Sequence, residues 1–186
     1  GLKKRIKKIT KRNRKNPEKI NEEESLMGKK TNAVLLILIF FAVSACNKDK
    51  IYNNTHDINK STWDASNVIN FNFQVEDTLQ PYDVYINLRH TSQYKYRNLY
   101  LFIETTSPEG HSVIDTFECM LADKKGRWYG KGWGDMYQNK IPYKRFVRFP
   151  HTGTYSIELK QAMRTEKLKH ISDIGIKIET AKQPKK

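Results

Sequence analysis

From residue 68 onward, apolar and polar side chains alternate with a period of two, the pattern of strands that bury one face. The first run, VINFNFQV (68–75), places four large apolar side chains on one face. Further runs lie at 82–91, 99–106, 113–120, 143–149, 153–160 and 174–178. Turn signals such as SPEG (107–110) separate them. The pattern predicts an all-β fold, an antiparallel β-sandwich of seven or eight strands that is jelly-roll or immunoglobulin-like.

A different pattern precedes the strands: residues 33–43 (AVLLILIFFAV) are uniformly apolar. Such a run is too short to cross a bilayer, which needs about 20 residues, but it suits the apolar core of a signal peptide. Lys29 and Lys30 supply the positive segment before it, and the small residues of VSAC (43–46) follow it. This order is the lipobox of bacterial lipoproteins.

The lipobox predicts a signal peptide over residues 27–45, with cleavage between Ala45 and Cys46. Cys46 then carries diacylglycerol and an N-acyl chain, and no other cofactor is expected. The alternatives are an ordinary signal peptide with an incidental cysteine, or a buried apolar helix.

Residues 1–26 are strongly basic, with ten Lys or Arg and four Glu. One interpretation is a nucleic-acid-binding arm; the other is a disordered extension upstream of the true start at Met27. An exported protein meets no nucleic acid, so we favour the second. Of the net charge of +14, only about +6 then belongs to Cys46 and the residues after it, and no nucleic-acid partner is expected.

The predicted mature chain has three parts. Residues 46–62 are polar and Asn-rich, which predicts a lipidated cysteine followed by a flexible tether. Residues 63–180 are enough for one β-sandwich domain, and 181–186 form a disordered tail. Only Cys119 remains besides Cys46, so no intramolecular disulfide is available, and Cys119 is expected to be a buried apolar residue.

Catalytic and metal-binding patterns are missing from the sequence. The five histidines lie 19 or more residues apart, without the spacing of a metal site. The acidic residues considered for acid–base catalysis are Asp83, Glu104, Asp115, Glu118 and Asp123. Most of them lie at outward strand positions and are expected to be solvated. The sequence therefore predicts a protein that is not an enzyme, with no metal site and no small-molecule substrate.

An aromatic, glycine-rich segment, GRWYGKGWGDMY (126–137), is the richest local cluster. Trp128, Tyr129, Trp133 and Tyr137 either form an exposed platform for a sugar ring or a partner protein, or cover a core edge in a tight hairpin. A second polar and aromatic segment carries Arg89, Tyr94 and Tyr96. It is either a binding loop or a structured connector.

Several short motifs together resemble the GldH family of gliding motility lipoproteins of Bacteroidetes. The resemblance runs from the lipobox to about Glu179. The matching positions are Trp63, Phe71-x-Phe73-x-Val75-x-Asp77, Tyr85-Ile86-x-Leu88-Arg89-His90-Thr91, Tyr94-x-Tyr96-x-Asn98-Leu99, Gly126-x-Trp128-x-Gly130, Gly153-x-Tyr155, Gln161-Ala162-Met163-Arg164 and Ile171-x-Asp173-Ile174-Gly175.

The resemblance implies a lipid-anchored protein of the cell envelope, in the outer membrane, on its periplasmic or its surface face. Its partners would be other envelope proteins of the gliding machinery and of the associated type IX secretion system, and no catalytic residues carry over. Two hypotheses follow: a structural or interaction component of that machinery, or a surface glycan-binding module that uses the aromatic segment.

Overall fold

The computed structural model describes residues 50–182, and within them it is an all-β protein, as predicted. Its strands are β1 (Lys50–Asp57), β2 (Thr62–Asp64), β3 (Ile69–Val75), β4 (Tyr82–Thr91), β5 (Asn98–Thr106), β6 (Ser112–Met120), β7 (Lys131–Trp133), β8 (Met136–Val147), β9 (Gly153–Gln161), β10 (Lys167–Lys169) and β11 (Ile171–Thr180), with one 3-10 turn at Asn59–Ser61. These eleven strands of the described region exceed the seven or eight predicted. The predicted basic extension, signal peptide and lipidated Cys46 lie outside the described residues.

Two antiparallel sheets form the sandwich. One has the strand order β1-β11-β4-β8-β7, the other has the order β3-β9-β5-β6, and β10 and β2 form a separate ribbon. Burial alternates along β3, where Ile69, Phe71, Phe73 and Val75 are buried and the residues between them are exposed. The inward residues of β4, β5, β9 and β11 complete the same apolar cluster, the arrangement expected when two sheets pack face to face.

The strand registers define two ends of the sandwich. At the Lys50 end, Lys50 pairs with Glu179, Thr180 with Tyr82, and Tyr82 with Val147; the loops 76–81, 107–111 and 148–152 lie here. At the His90 end, His90 pairs with Ile171 and with Tyr137, and the loops 92–97, 121–130 and 162–166 lie here. The described chain therefore enters the fold at the Lys50 end.

The tether predicted for residues 46–62 is wrong over most of its length. Residues 50–57 form β1, which pairs with β11 over seven registered positions. Ile58 is buried in the core and its amide donates to the Ser172 carbonyl over 2.8 Å. The strand was missed because it lies at a sheet edge, where most of its side chains are exposed. Backbone hydrogen bonds, rather than an apolar face, hold it in place.

Two other predictions need correction. Asp83 was expected at a solvated position, yet it is 5 % exposed, because its carboxylate accepts from the Phe146 amide over 3.0 Å and pairs with Arg145. This contact holds an irregularity in the β4–β8 pairing, where Phe146 has a φ of 54°. Ala181, assigned to the tail, is buried, and its amide donates to the Pro81 carbonyl.

Cys119 is fully buried, as expected, and is a free thiol within the described residues. Burial raises the pKa of this thiol to about 12. Cys119 therefore behaves as a small apolar core residue.

We expect a protein that begins at Trp63 to be much less stable than one that begins at Lys50. It lacks all of β1 and the buried Ile58, whose burial alone contributes roughly 1.5–3 kcal/mol. The thermal midpoint should fall by roughly 10 °C or more, measured by circular dichroism. Equal midpoints for the two proteins would show that residues 50–62 behave as a tether after all.

Candidate functional site

The two aromatic segments singled out in the sequence meet at the His90 end. The first belongs to the end of β4 and the 92–97 loop, and the second to the 121–130 loop and the β7–β8 hairpin. Backbone hydrogen bonds link the two segments. The Ser92 amide donates to the Asp135 carbonyl over 2.7 Å, and the Leu121 amide donates to the Arg97 carbonyl over 2.8 Å. The sequence pattern did not indicate that the two segments form one surface.

His90 is the centre of this aromatic cluster. Its ring centroid lies 4.5 Å from that of Trp128, 5.7 Å from that of Tyr137 and 5.6 Å from that of Tyr94. The Tyr137 ring is stacked on it at an interplanar angle of 16°. Tyr94 is itself buried, and its hydroxyl donates to the Asn98 carbonyl over 3.0 Å. The cluster is a packed extension of the core, not an open platform.

His90 is fully buried and was not among the predicted site residues. Its Nδ1 lies 3.0 Å from the Thr91 carbonyl oxygen, whereas Nε2 makes no hydrogen bond with any described residue. Burial lowers the pKa of His90 because it penalises the imidazolium form. The sequence held a signal for this position, since Ile86, Leu88 and His90 share one face of a period-two strand.

A tight turn places Trp128. The Asp123 carboxylate accepts from the Lys125 and Arg127 amides over 2.8 and 2.9 Å, and from the Arg127 guanidinium over 2.7 Å. Gly126 lies inside this turn with a φ of 80°, which favours glycine. Trp128 then bridges to Ala122, so that its half-buried ring packs against the core.

The β7–β8 hairpin turns through Gly134 and Asp135, and Gly134 has a φ of 62°. A Cβ at Gly132 would lie 3.0 Å from the Tyr137 ring, so the glycine lets that ring lie across β7. Trp133 is carried to the tip of the hairpin and is 91 % exposed. Tyr129 and Tyr96 are also exposed.

Six of the seven predicted binding residues divide into two groups. Trp128 and Tyr137 cover a core edge, as in the hairpin interpretation, and the buried Tyr94 fits a structured connector. Trp133, Tyr129 and Tyr96 instead present aromatic surface to solvent. Arg89 belongs to neither group: its guanidinium pairs with Asp173 on the neighbouring strand. Burial raises the pKa of Asp173 and outweighs the opposing effect of Arg89.

Positive charge is concentrated at the His90 end of the sandwich. The segments 92–97, 121–135 and 162–170 contain nine Lys or Arg and three Asp or Glu. The exposed basic side chains are Lys95, Arg97, Lys124, Lys125, Arg127, Lys131, Arg164, Lys167 and Lys169. The loops of the Lys50 end carry one Arg and three acids instead. The exposed aromatic residues thus lie on a basic surface, which favours acidic partners.

A groove of about 600 Å³ runs beside this surface, lined by Tyr129, Lys131, Gln138 and Asn139 among others. Asn139 is 5 % exposed, and its side-chain nitrogen makes no hydrogen bond with any described residue. A Cβ at Gly130 would lie 2.9 Å from the Asn139 amide, so the glycine is needed for this close approach. The groove combines an aromatic ring with amide hydrogen-bonding groups.

Within residues 50–182, no three His, Cys, Asp or Glu side chains converge as metal ligands would. The same stretch contains no helix with the length and apolar character needed to cross a bilayer.

The buried His90 predicts a pH-dependent stability. Because its folded pKa lies below the unfolded value of about 6.5, the unfolded state binds more protons below that pH, and stability falls as the pH falls. The loss approaches about 1.4 kcal/mol per pH unit, down to the lowered pKa. His90→Phe keeps a ring in the cluster but should remove this component, as measured by urea unfolding between pH 8 and 5. Parallel profiles for the two proteins would contradict a buried, neutral His90.

Two solved structures show distant likenesses to this chain. A family GH115 4-O-methyl-α-glucuronidase matches 74 % of this chain and 18 % of its own length, with a TM-score of 0.37 and 9 % identity. Dimeric latent PorU of Porphyromonas gingivalis matches with a TM-score of 0.26 and 9 % identity, over 74 % of this chain and 14 % of its own. Likenesses at this level carry no argument about function.

Two known proteins are similar to this chain over most of its length. The gliding motility lipoprotein GldH homolog of Christiangramia forsetii is 32 % identical over 152 residues, which cover 78 % of this chain and 93 % of that protein. The gliding motility lipoprotein GldH of Flavobacterium johnsoniae is 30 % identical over 155 residues, 80 % of this chain and 96 % of that protein. The family model for GldH lipoprotein matches residues 50–178, from the first residue of β1 into β11. The chain therefore belongs to the GldH lipoprotein family.

Proposed function

We propose that this protein is a lipid-anchored component of the gliding machinery and of the associated type IX secretion system, held in the outer membrane. It acts as a structural or interaction component and not as an enzyme. Family membership supports the lipoprotein assignment, and the names of its relatives support the link to gliding. The observation that carries the interaction role is the basic surface with exposed aromatic side chains at the His90 end.

The position of the proposed anchor gives the domain an orientation. Cys46 precedes Lys50 by four residues in the sequence, a length of chain that reaches about 14 Å at most. A lipid on Cys46 would keep the Lys50 end near the membrane. β4 has ten residues, so the opposite end lies about 30 Å further along the strands. The His90 end would face away from the membrane, where partners are accessible.

The exposed aromatic residues suit a protein partner. Trp and Tyr contribute more than other residues to binding energy in interfaces, together with Arg. Here Trp133 and Tyr129 are 91 % and 63 % exposed, and exposed Lys and Arg side chains surround them. We expect the partner to present an acidic surface with an apolar depression for the indole, and the association to weaken with salt.

Replacement of Cys46 by Ser should release the protein from the membrane fraction, because the thioether to diacylglycerol cannot form and stable anchoring needs more than one acyl chain. Cys119→Ser is the matched control: that thiol is buried in the domain, and its loss should leave membrane association unchanged. Immunoblots of membrane and soluble fractions measure both variants. Retention of the Cys46→Ser protein at the wild-type level would refute the anchor.

Trp133→Ala should weaken capture of gliding or secretion components from envelope membranes about thirtyfold or more, since a central Trp contact is commonly worth about 2 kcal/mol or more. Leu79→Ala is the matched control, because Leu79 is also highly exposed, at 79 %, but lies at the Lys50 end. Quantitative mass spectrometry after cross-linking in cells, with gliding speed measured in parallel, gives the comparison. If both variants behave as wild type, the His90 end is not the interaction surface.

The groove beside Asn139 favours a second candidate function, the binding of an acidic surface glycan. Tyr129 offers a ring face, the Gln138 amide offers hydrogen bonds, and Lys131 offers a charge, the groups that a sugar acid needs. Isothermal titration with acidic polysaccharides separates the two functions. Glycan binding requires a heat signal that Tyr129→Ala and Lys131→Ala both abolish; no signal with any polysaccharide leaves the protein-partner function alone.

A further inference from the structure

An apolar cavity of about 340 Å³ lies between the two sheets toward the Lys50 end. One side of the cavity is lined by Val84, Val147 and Phe149, and the other side by Val113, Tyr155 and Ile157. Facing sheets normally fill the space between them with interdigitated side chains at crystal-like density. The side chains of residues 50–182 therefore leave this part of the sandwich unfilled.

The cavity lies in a gap between β6 and β8, and residues of both strands line it. β6 is the last strand of its sheet, and the outer edge of β8 is covered by β7 only at residues 136–138. Tyr143 bridges the gap partway along: its ring centroid lies 5.2 Å from that of Phe117, and its hydroxyl donates to Asp115 over 2.6 Å.

Beyond this bridge, toward the Lys50 end, no comparable contact joins the described residues of β6 and β8. The irregularity held by Asp83 turns Phe146 outward, where it is 42 % exposed. Val113 lies in register with Thr105 on the inward face of β6, yet it is 63 % exposed. The cavity thus opens between the two edges.

The polar groups at the rim do not favour an ion or a sugar. Lys144 is paired with Asp115 at 2.9 Å, and the Glu109 carboxylate lies 3.0 Å from a ring nitrogen of His151, so these side chains at the rim already have partners within the domain. The walls are aliphatic and aromatic, and polar ligand groups buried against them would lose hydrogen bonds to water. A hydrocarbon chain fits the interior, with its polar head left at the rim.

The place of the cavity indicates where such a chain comes from. It lies toward the Lys50 end, the end at which the described chain begins, and Cys46 is only four residues before Lys50 in the sequence. We infer that the cavity takes up one acyl chain of a membrane phospholipid. This inference rests on the proposed lipid anchor, which keeps the rim within reach of the bilayer.

The test uses the lipidated protein, extracted from envelope membranes and reconstituted into phosphatidylethanolamine–phosphatidylglycerol vesicles. The vesicles contain a phosphatidylcholine with a diazirine in the middle of one acyl chain. After illumination, peptide mass spectrometry should locate adducts on the cavity-lining segments of β4, β6, β8 and β9. Adducts confined to outward positions such as Leu79 and Ile114 would overturn the inference.

Two neighbouring positions on β6 give a matched pair of variants. Val113 faces the cavity and is 63 % exposed, whereas Ile114 faces outward and is 66 % exposed. Val113→Trp should reduce labelling inside the cavity at least tenfold, and Ile114→Trp should leave it unchanged. Equal labelling of the two variants would overturn the inference. If Val113→Trp does not fold, as judged by circular dichroism, Val147→Phe fills the cavity from the opposite wall with the same expected result.

Flotation of the same vesicles separates this inference from the anchor. A protein that floats with the vesicles but carries no adduct inside the cavity refutes acyl binding and leaves the anchor intact. A protein that does not float refutes the anchor, and the cavity is then tested with a diazirine lysophospholipid in solution. Absence of labelling in the cavity there refutes acyl binding as well.

Discussion

The pairing of β11 with β1 and β4 is the interaction on which the rest of this fold depends. β11 lies between the first and the fourth strands, and Ile171, Ile174, Ile176 and Ile178 are all fully buried in the common core. Gly175 is critical at the contact with β1, because a Cβ there would lie 2.4 Å from the Asn54 carbonyl oxygen. The last strand of the domain thus fixes the position of its first strand, and with it the point where the chain enters the fold.

The period-two pattern of the sequence predicts most of the strands that contribute residues to the core. The alternating runs correspond to β3, β4, β5, β6, β9 and β11 and to part of β8. Alternating burial is clearest along β3, β5 and β9, where the hydrophobic effect acts on the apolar face. β1 was not predicted because a polar edge strand is held by hydrogen bonds to its neighbour. Such bonds leave no alternation of apolar and polar residues in the sequence. The start of β8 was not predicted either, because the strand runs through Pro142. A proline is tolerated in a strand where no neighbouring strand needs the missing N–H group.

The candidate site shows a different limit of sequence reasoning. Trp128 and Trp133 lie five residues apart in the same glycine-rich segment, yet one packs beside His90 and the other is exposed to solvent. The Asp123 turn, the Gly132 contact with Tyr137 and the approach of the 92–97 loop decide this difference, and all three depend on the assembled fold. A sequence pattern can identify aromatic residues of this kind, but only tertiary contacts decide which of them remain available for binding.

The entry of the chain at the Lys50 end also determines how the domain would carry mechanical force. A pull between a lipid on Cys46 and a partner at the opposite end would run nearly parallel to the strands. The force would act at the same time on all seven registered pairs of β1 and β11, along the strands, which is a shear geometry. It would not separate the pairs one after another. Strands resist shear far better than peeling, so this connection suits a part that must stay folded while under tension.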